Sequence, residues 1–194
     1  TNVIEEDVFS CHDAKSIFMI PQMLYEQGLV DVVFKKFGNV GFVNTSKNWD
    51  NWNTIVNSLQ KTDDPIKIAM VGKYVTLADS YVSVNEALKH ASASIGKSVN
   101  IDWIDSETLN GNLKQLDNFD GVLVPGGFGT RGSEGIIDTA TYALEKNIPY
   151  LGICFGFQLA AIAFGRKMCN LENANSTEIV ADTKHPIIDL LPEQ

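Results

Sequence analysis

The sequence predicts an α/β fold in which helices cover both faces of a parallel sheet. From residue 66 onward, short apolar runs typical of buried strands alternate with segments that repeat their apolar residues at helical spacing. The turns between these segments are short, and two of them are glycine-rich and directly follow predicted strands. Regular alternation of this kind is characteristic of parallel strands, because each crossover uses a helix to bring the chain back.

Strands and helices follow one another through this part of the chain. Val99, Ile101 and Trp103 show the alternation typical of a strand, whereas the other predicted strands are mostly apolar runs. The predicted strands cover residues 66–71, 99–103, 121–124 and 149–153. The predicted helices begin after Asp79, which would cap the first of them, and cover residues 134–146 and 155 to about 167. The first helix would bury Val84, Leu88, Ala91 and Ile95.

Before residue 66 the pattern is different. A helical run follows Pro21 and would end at Gly28, since glycine is common just past a helix end. A second helix is predicted where four apolar residues recur at helical spacing, namely Trp49, Trp52, Val56 and Leu59. We therefore expect three regions: a front piece (residues 1–36), a connector (37–65) and the α/β region (66–194).

The composition favours a folded protein inside the cell. The chain of 194 residues is 44% apolar and 20% charged, enough for one sizeable domain or a domain plus a fragment. Its formal net charge of -9 argues against a general nucleic-acid binder, which needs a basic surface. The longest apolar run, residues 150–164, is shorter than the roughly 20 residues of a membrane helix. No secretory signal opens the chain, so we expect a cytoplasmic protein without membrane contact.

Cysteine usage points to neither disulfides nor a metal. Cys11, Cys154 and Cys169 form no short-spaced pair and no Cys/His cluster, so we expect no disulfide framework and no metal site. The two ends do not look like natural termini, because Thr1 follows no Met and the last residues complete no recognisable element. We therefore expect the chain to be a piece of a longer protein.

The segment around Cys154 has the form strand, Gly-x-Cys-x-Gly, helix, with Gly152 and Gly156 at the glycine positions. The related Gly-x-Ser-x-Gly pattern places a nucleophile on a tight strand-to-helix turn, where its side chain stands exposed above the sheet. Such a cysteine also lies at a helix N-terminus, whose dipole stabilises negative charge, and a thiolate is what attacks an amide carbonyl. The alternative is that Cys154 is a small core residue at the end of a buried strand.

A second glycine-rich turn, residues 125–129, follows the predicted strand at 121–124. Its backbone N–H groups could face a ligand, which suits an oxyanion hole or a phosphate cradle. The phosphate interpretation is weaker, because the turn lacks the Gly-Lys-Ser/Thr ending of a P-loop. An ordinary β-turn remains a further alternative. Because ligand sites lie at the carboxyl ends of parallel strands, the two glycine-rich turns predict one common site.

These motifs together resemble the class I (triad) glutamine amidotransferases, and in particular the CTP synthase family. Six segments in the family's order carry the resemblance: residues 12–21, 71–90, 125–135, 149–158, 172–178 and 185–194. The resemblance covers nearly the whole chain except the connector. It implies a flavodoxin-like sheet for residues 66–194, the glutamine amidotransferase domain, cut short at its C-terminus. It also implies that residues 1–36 are the end of a P-loop-like α/β synthase (amidoligase) domain.

What the resemblance implies about function is specific. In the family, glutamine is hydrolysed at a cysteine and the released ammonia passes through a tunnel to the synthase domain. There UTP, phosphorylated by ATP with Mg²⁺, becomes CTP, and GTP activates the glutaminase half. Family members are homotetramers that often form filaments. The implied ligands are therefore glutamine, UTP, ATP, GTP and Mg²⁺, and the implied partner is a further copy of the same protein.

Site residues follow from the resemblance position by position. Cys154 would form the γ-glutamyl thioester, and the backbone N–H groups of Gly127 and Phe155 would form the oxyanion hole. The residues implied to bind glutamine are Gly127, Phe155, Gly156, Phe157, Gln158 and Glu178. Glu178 would hold the substrate's α-amino group, with the two buried charges compensating each other's lost hydration. The residues implied to line the ATP base pocket are His12, Asp13 and Ala14. Without the resemblance, Glu178 would be interpreted as a solvated surface acid and residues 12–14 as a solvated loop.

Two features depart from the family pattern. The nucleophile segment usually contains Cys-Leu-Gly-Met-Gln, whereas here Phe155 and Phe157 replace Leu and Met. A backbone donor survives such a change, but the shape of the pocket changes. The family's catalytic His and Glu, and its arginine for the glutamine carboxylate, match positions beyond Gln194, and His185 matches a position outside the triad. We therefore expect the 194-residue chain alone to make no CTP and to hydrolyse glutamine poorly or not at all.

Two other functions remain open on the sequence. One is a different amidotransferase, or a cysteine hydrolase on the same kind of sheet, although residues 131–135 and the synthase-like front argue against it. The other is a pseudo-glutaminase that serves as a regulatory or assembly domain. Covalent labelling of Cys154 by an electrophilic glutamine analogue would separate an active site from a pseudo-site.

Overall fold

The computed structural model divides the chain into two compact units. One comprises Thr1–Asp63 with His90–Ser98, and the other Asp64–Lys89 with Val99–Gln194. The structure describes residues 2–38, 46–61, 63–74, 78–109 and 112–191, without the side chains of residues 46–48 and 78–79.

The second unit is built on a parallel sheet, as the alternation of strands and helices predicts. Four strands lie in the order β2-β1-β3-β4, and every neighbouring pair is parallel. The strands are β1 (Ile66–Gly72), β2 (Val99–Asp105), β3 (Gly121–Val124) and β4 (Tyr150–Gly152). The helices are α4 (Val82–Ser94), α5 (Ser133–Lys146) and α6 (Phe155–Met168). A separate two-stranded parallel pair is formed by β5 (Asn175–Ser176) and β6 (Pro186–Ile188).

Both faces of the central strands are covered. Ala69, Met70 and Val71 of β1 are all fully buried, and all of β3 is buried. Because successive residues of a strand point to opposite faces, burial of three in a row requires packing on both sides. Helices α5 and α6 contribute several large apolar side chains to this core. Among them are Ile136, Ile137, Phe155, Leu159 and Ile162.

Most strand and helix boundaries lie within two residues of those predicted. The buried face of α4 differs from the one predicted. Val84 and Leu88 are partly buried as predicted, whereas Ala91 and Ile95 are exposed. The helix ends at Ser94, so Ile95 lies beyond it and is 65% exposed. The buried positions at this end of the helix are Ser92 and Ala93 instead. The Asp79 side chain, predicted as the cap, lies outside the described side chains.

The first unit contains α1 (Ile20–Glu26), α2 (Leu29–Lys36) and α3 (Ser46–Leu59). Gly28 separates the first two helices in a left-handed conformation (φ 82°), which confirms the predicted helix end. The Trp52 indole N–H donates to the Phe18 carbonyl over 2.9 Å, and the Phe18 ring lies 5.4 Å from that of His90. The helix predicted from tryptophan spacing is α3, and it buries Val56.

No helix in the described ranges combines the length and the apolar character that crossing a membrane requires. Within those same ranges, no three or more His, Cys, Asp or Glu side chains cluster closely enough to hold a metal ion.

Truncating the centre of the core should be costly. Leu159 is fully buried on α6, so Leu159→Ala is expected to lower the free energy of unfolding by about 2–5 kcal/mol. The matched control is Leu144→Ala on α5, where a 40% exposed side chain should cost less than about 1 kcal/mol. Urea unfolding measures both, and equal losses would contradict a core centred on α6.

Candidate active site

The chain makes a sharp elbow between β4 and α6, with Cys154 at its tip. Cys154 has φ 51° and ψ -110°, a conformation that residues with a Cβ rarely adopt. The elbow is held by hydrogen bonds on both sides. The Ile153 N–H donates to the Val124 carbonyl over 2.9 Å, and the Gln158 N–H donates to the Cys154 carbonyl over 3.0 Å. The cysteine is exposed, so it is not a core residue.

The glycines on either side of Cys154 are required by close backbone contact. A Cβ on Gly152 would lie 2.5 Å from the carbonyl carbon of Gly156 and from the amide nitrogen of Phe157. A Cβ on Gly156 would collide with the carbonyl oxygen of Val124. Only hydrogen fits at both positions, so the Gly-x-Cys-x-Gly pattern follows from the geometry of the turn.

Tyr150 forms a hydrogen bond to the elbow. Its hydroxyl donates to the Gly156 carbonyl over 3.1 Å. Burial raises the pKa of Tyr150 well above its usual value, so the phenol stays protonated and remains a donor. This bond links the last strand of the sheet to the first turn of α6.

The glycine-rich turn lies directly against the elbow. A Cβ on Gly126 would be 3.7 Å from the Cβ of Cys154, and one on Gly127 would be 3.8 Å from the Phe155 ring. The two turns follow β3 and β4, which are neighbours in the sheet, so they lie side by side at one edge of it. Phe155 is the first residue of α6, and the first N–H groups of a helix have no acceptor within the helix. Phe155 can therefore present a backbone donor near the thiol, and Gly127 lies beside it.

Lys73 contacts both the glycine-rich turn and Phe155, although the sequence alone gave it no role. It is only 7% exposed, and its ammonium donates to the carbonyls of Phe128 (3.0 Å) and Gly129 (2.5 Å). The same nitrogen lies 4.2 Å from the centre of the Phe155 ring. The available signal was position, because Lys73 directly follows β1, and the end of β1 is on the same edge of the sheet as the two glycine-rich turns.

Charged groups of both signs surround Lys73 and have opposite effects on its pKa. Burial lowers the pKa of Lys73, and the Arg131 cation lowers it further, while the carboxylates of Glu178 and Glu107 act in the opposite direction. Arg131 also donates to the Lys73 carbonyl over 3.2 Å and lies 3.6 Å from Glu107. The site is therefore lined by an interleaved set of cations and carboxylates.

Glu178 lies beside the glycine-rich turn, just after β5. Its carboxylate accepts a hydrogen bond from the Gly129 N–H over 3.2 Å. The residue is exposed, not buried as the compensating-charge argument assumed. Gln158 is half-buried on the first turn of α6, and Phe157 beside it is 63% exposed. Of the residues implied to bind glutamine, the structure thus gathers those of the elbow and the glycine-rich turn, with Glu178 at their margin.

The remaining candidates lie away from the elbow in the chain. His12 and Asp13 are exposed and Ala14 is half-buried, in a loop of the first unit before α1. The His185 carbonyl accepts from the Asn175 N–H over 3.1 Å, which ties β5 to the start of β6. Cys169 is exposed at the C-terminal end of α6.

Residues 76–189 match the family model described as glutamine amidotransferase class-I. The chain belongs to this family. A solved relative has the same fold: the glutaminase domain of Trypanosoma brucei CTPS with bound acivicin has a TM-score of 0.62 and 35% sequence identity. That match covers 66% of this chain and 50% of the trypanosomal one.

The similarity to curated relatives extends beyond residues 76–189. The CTP synthase of Methanopyrus kandleri is 43% identical over 100% of this chain and 36% of its own length. That of Staphylococcus carnosus is 45% identical over 100% and 36%, and that of Moorella thermoacetica is 48% identical over 96% and 34%. The chain therefore spans about a third of the length of the curated relatives it matches.

The elbow should not tolerate a methyl group at Gly152. Gly152→Ala is expected to lower the free energy of unfolding by about 1–3 kcal/mol or more, because the added Cβ meets backbone that cannot move aside. Gly126→Ala is the control, since its Cβ would make only an ordinary 3.7 Å contact. Urea unfolding of both variants tests this, and a Gly152→Ala protein as stable as the control would show that the elbow is not rigid.

Proposed function

We propose that this chain is the glutaminase part of a CTP synthase, together with the end of the preceding synthase domain. Residues 1–36 are assigned to the synthase domain, 37–65 to the connector and 66–194 to the amidotransferase domain. The observation that carries the proposal is the exposed Cys154 on a strained elbow, with the Gly126-Gly127 turn packed against it. The similarity of the entire chain to CTP synthases supports the acceptor assignment.

The proposed chemistry begins with attack of the Cys154 thiolate on the side-chain amide carbon of glutamine. Gly127 and Phe155 donate their backbone N–H groups to the oxygen that becomes negative in this step. Collapse of the intermediate leaves a γ-glutamyl thioester and releases ammonia once the leaving nitrogen is protonated. Water then hydrolyses the thioester to glutamate and restores the thiol.

Substrate glutamine is held by the residues around the elbow. Glu178 takes the α-ammonium group, and Gln158 and the backbone of residues 155–157 position the side-chain amide. Glu178 already carries a hydrogen bond from the turn that supplies an oxyanion donor, so substrate binding and the turn are linked.

The nucleotide half of the reaction is assigned mainly to residues outside this chain. Ammonia aminates UTP after its activation by ATP with Mg²⁺, and GTP stimulates the glutaminase step. The described residues offer no cluster suited to Mg²⁺, so no step through the metal is assigned to them. His12, Asp13 and Ala14 contribute to the pocket for the ATP base. The complete enzyme is proposed to be a cytoplasmic homotetramer, with filaments as a further assembly.

The first test separates the two half-reactions in the complete protein. Cys154→Ala should lower glutamine-dependent CTP formation by on the order of 10³-fold or more, because the variant lacks the thiol that forms the thioester. Ammonia-dependent CTP formation should be unchanged, since it bypasses the cysteine. Cys169→Ala, which removes another exposed thiol, is the matched control and should retain both activities.

Other outcomes of this test point to other functions. A wild-type protein that makes no CTP from either nitrogen source would overturn the CTP synthase assignment. Labelling by acivicin, the compound bound to the trypanosomal domain, would then distinguish the alternatives. Stoichiometric modification of Cys154, protected by glutamine, would indicate an amidotransferase with another acceptor. No modification would indicate a pseudo-glutaminase.

The ATP assignment has its own test. Asp13→Ala in the complete protein should raise the KM for ATP about tenfold, the loss expected for one hydrogen bond to a charged group. The assay uses ammonia as the nitrogen source, so the glutaminase site does not contribute. Asp50→Ala, an exposed acid on α3, is the control. An unchanged KM for ATP in Asp13→Ala would contradict the assignment.

A further inference from the structure

Lys73 is a buried cation without an obvious structural need. Lysine is rarely this well buried, because its ammonium loses hydration that must be replaced. Here the replacement comes from two backbone carbonyls and the face of an aromatic ring. An apolar side chain of similar length could fill this space without the desolvation penalty. The charge itself therefore calls for an explanation.

The groups that Lys73 contacts belong to both sides of the proposed oxyanion hole. Phe128 and Gly129 directly follow Gly127 in the glycine-rich turn, and Phe155 supplies the second backbone donor. One side chain thus touches the turn after β3 and the helix after β4. The distance between these two elements sets the spacing of the two donors.

The peptide group between Phe128 and Gly129 is held at both ends. Its carbonyl accepts from the Lys73 ammonium over 3.0 Å, and its N–H donates to the Glu178 carboxylate over 3.2 Å. Opposite charges on the two sides fix the orientation of this peptide plane. Without such anchors, a turn with glycine at positions 126, 127 and 129 would sample many conformations, because glycine has the least restricted backbone.

Lys73 is itself well anchored at its backbone. It directly follows β1, whose last carbonyl, that of Gly72, accepts from the Ser106 N–H over 3.0 Å. The Lys73 carbonyl accepts from Arg131 over 3.2 Å. The ammonium therefore projects from the edge of the sheet towards the glycine-rich turn.

We propose that Lys73 is a positioning residue for glutamine hydrolysis, which holds the turn at residues 126–129 so that its backbone donor faces the oxyanion formed at Cys154. The proposal rests on the proposed glutaminase function. Lys73 does not touch the reacting atoms in this role. It acts on the transition state through the position of the turn, so its loss affects kcat more than the KM for glutamine.

Lys73→Met in the complete protein tests the proposal, because methionine keeps most of the volume and removes the charge and the donors. We expect kcat for glutamine hydrolysis to fall about 10²-fold, the loss typical of a displacement of about 1 Å. The KM for glutamine and ammonia-dependent CTP formation should be unchanged. Lys73→Arg, which keeps a cation and N–H donors, should recover part of the lost kcat. Lys114→Met, at an exposed lysine of the same unit, is the control.

Alkylation of Cys154 by iodoacetamide separates the reactivity of the thiol from stabilisation of the oxyanion. Alkylation forms no oxyanion, so Lys73→Met should react at the wild-type rate while kcat is low. A raised KM with normal kcat would overturn the proposal, as would a normal kcat in a folded Lys73→Met protein. If Lys73→Met does not fold, Lys73→Gln replaces it and is judged by the same two outcomes. Failure of the glutaminase assignment itself would appear in the wild type, which would then release no ammonia from glutamine.

Discussion

The close approach of backbone at the elbow between β4 and α6 is the constraint on which the site depends. A side chain at Gly152 would meet the next turn of the chain at 2.5 Å, and Gly156 is pressed against the end of β3 in the same way. With only hydrogen at both positions, the chain turns from strand to helix at a single residue. That residue, Cys154, takes a positive φ and is exposed instead of being buried at a strand end. The position of residue 154 is therefore set by the backbone of the elbow, and it would be kept if the side chain at 154 were changed.

Parallel topology then brings the other groups to the thiol. β1, β3 and β4 are consecutive in the sheet, and their carboxyl ends lead to Lys73, the glycine-rich turn and Cys154. Each end contributes a different kind of group: a cation, a glycine-rich backbone turn and a thiol. Because the strands are held in register by the sheet, the three groups keep their spacing without direct bonds between every pair. Glu178 reaches the same edge from β5 and adds a carboxylate.

The strands and helices of the second unit could be predicted because their apolar residues follow simple periods. The face of α4 was predicted wrongly at Ile95, since the spacing does not reveal that the helix ends at Ser94, and at Ala91, where Ser92 and Ala93 are buried instead. Gly152, Cys154 and Gly156 could be recognised because a tight turn restricts residue type locally. The position of Lys73 at the end of β1 could be recognised, but its burial could not, because the carbonyls that it contacts are 55 and 56 residues away and a lysine is normally solvated. Local geometry leaves a signal in the sequence, whereas burial by distant segments does not.

Phe155 takes part in both the local turn and the long-range packing around Lys73. Its backbone N–H belongs to the elbow, and its ring is 3% exposed and lies against the Lys73 ammonium. The family segment that this chain resembles usually has leucine at this position, which offers Lys73 no π-face. A cation near an aromatic face gains about 0.5–2 kcal/mol, more when both are removed from water. The side chain of Phe155 therefore partly offsets the desolvation of Lys73, while its backbone remains available as a donor. The Phe155 ring therefore supports Lys73, whereas the Cys154 thiol and the backbone of the elbow do not depend on the side chain at 155.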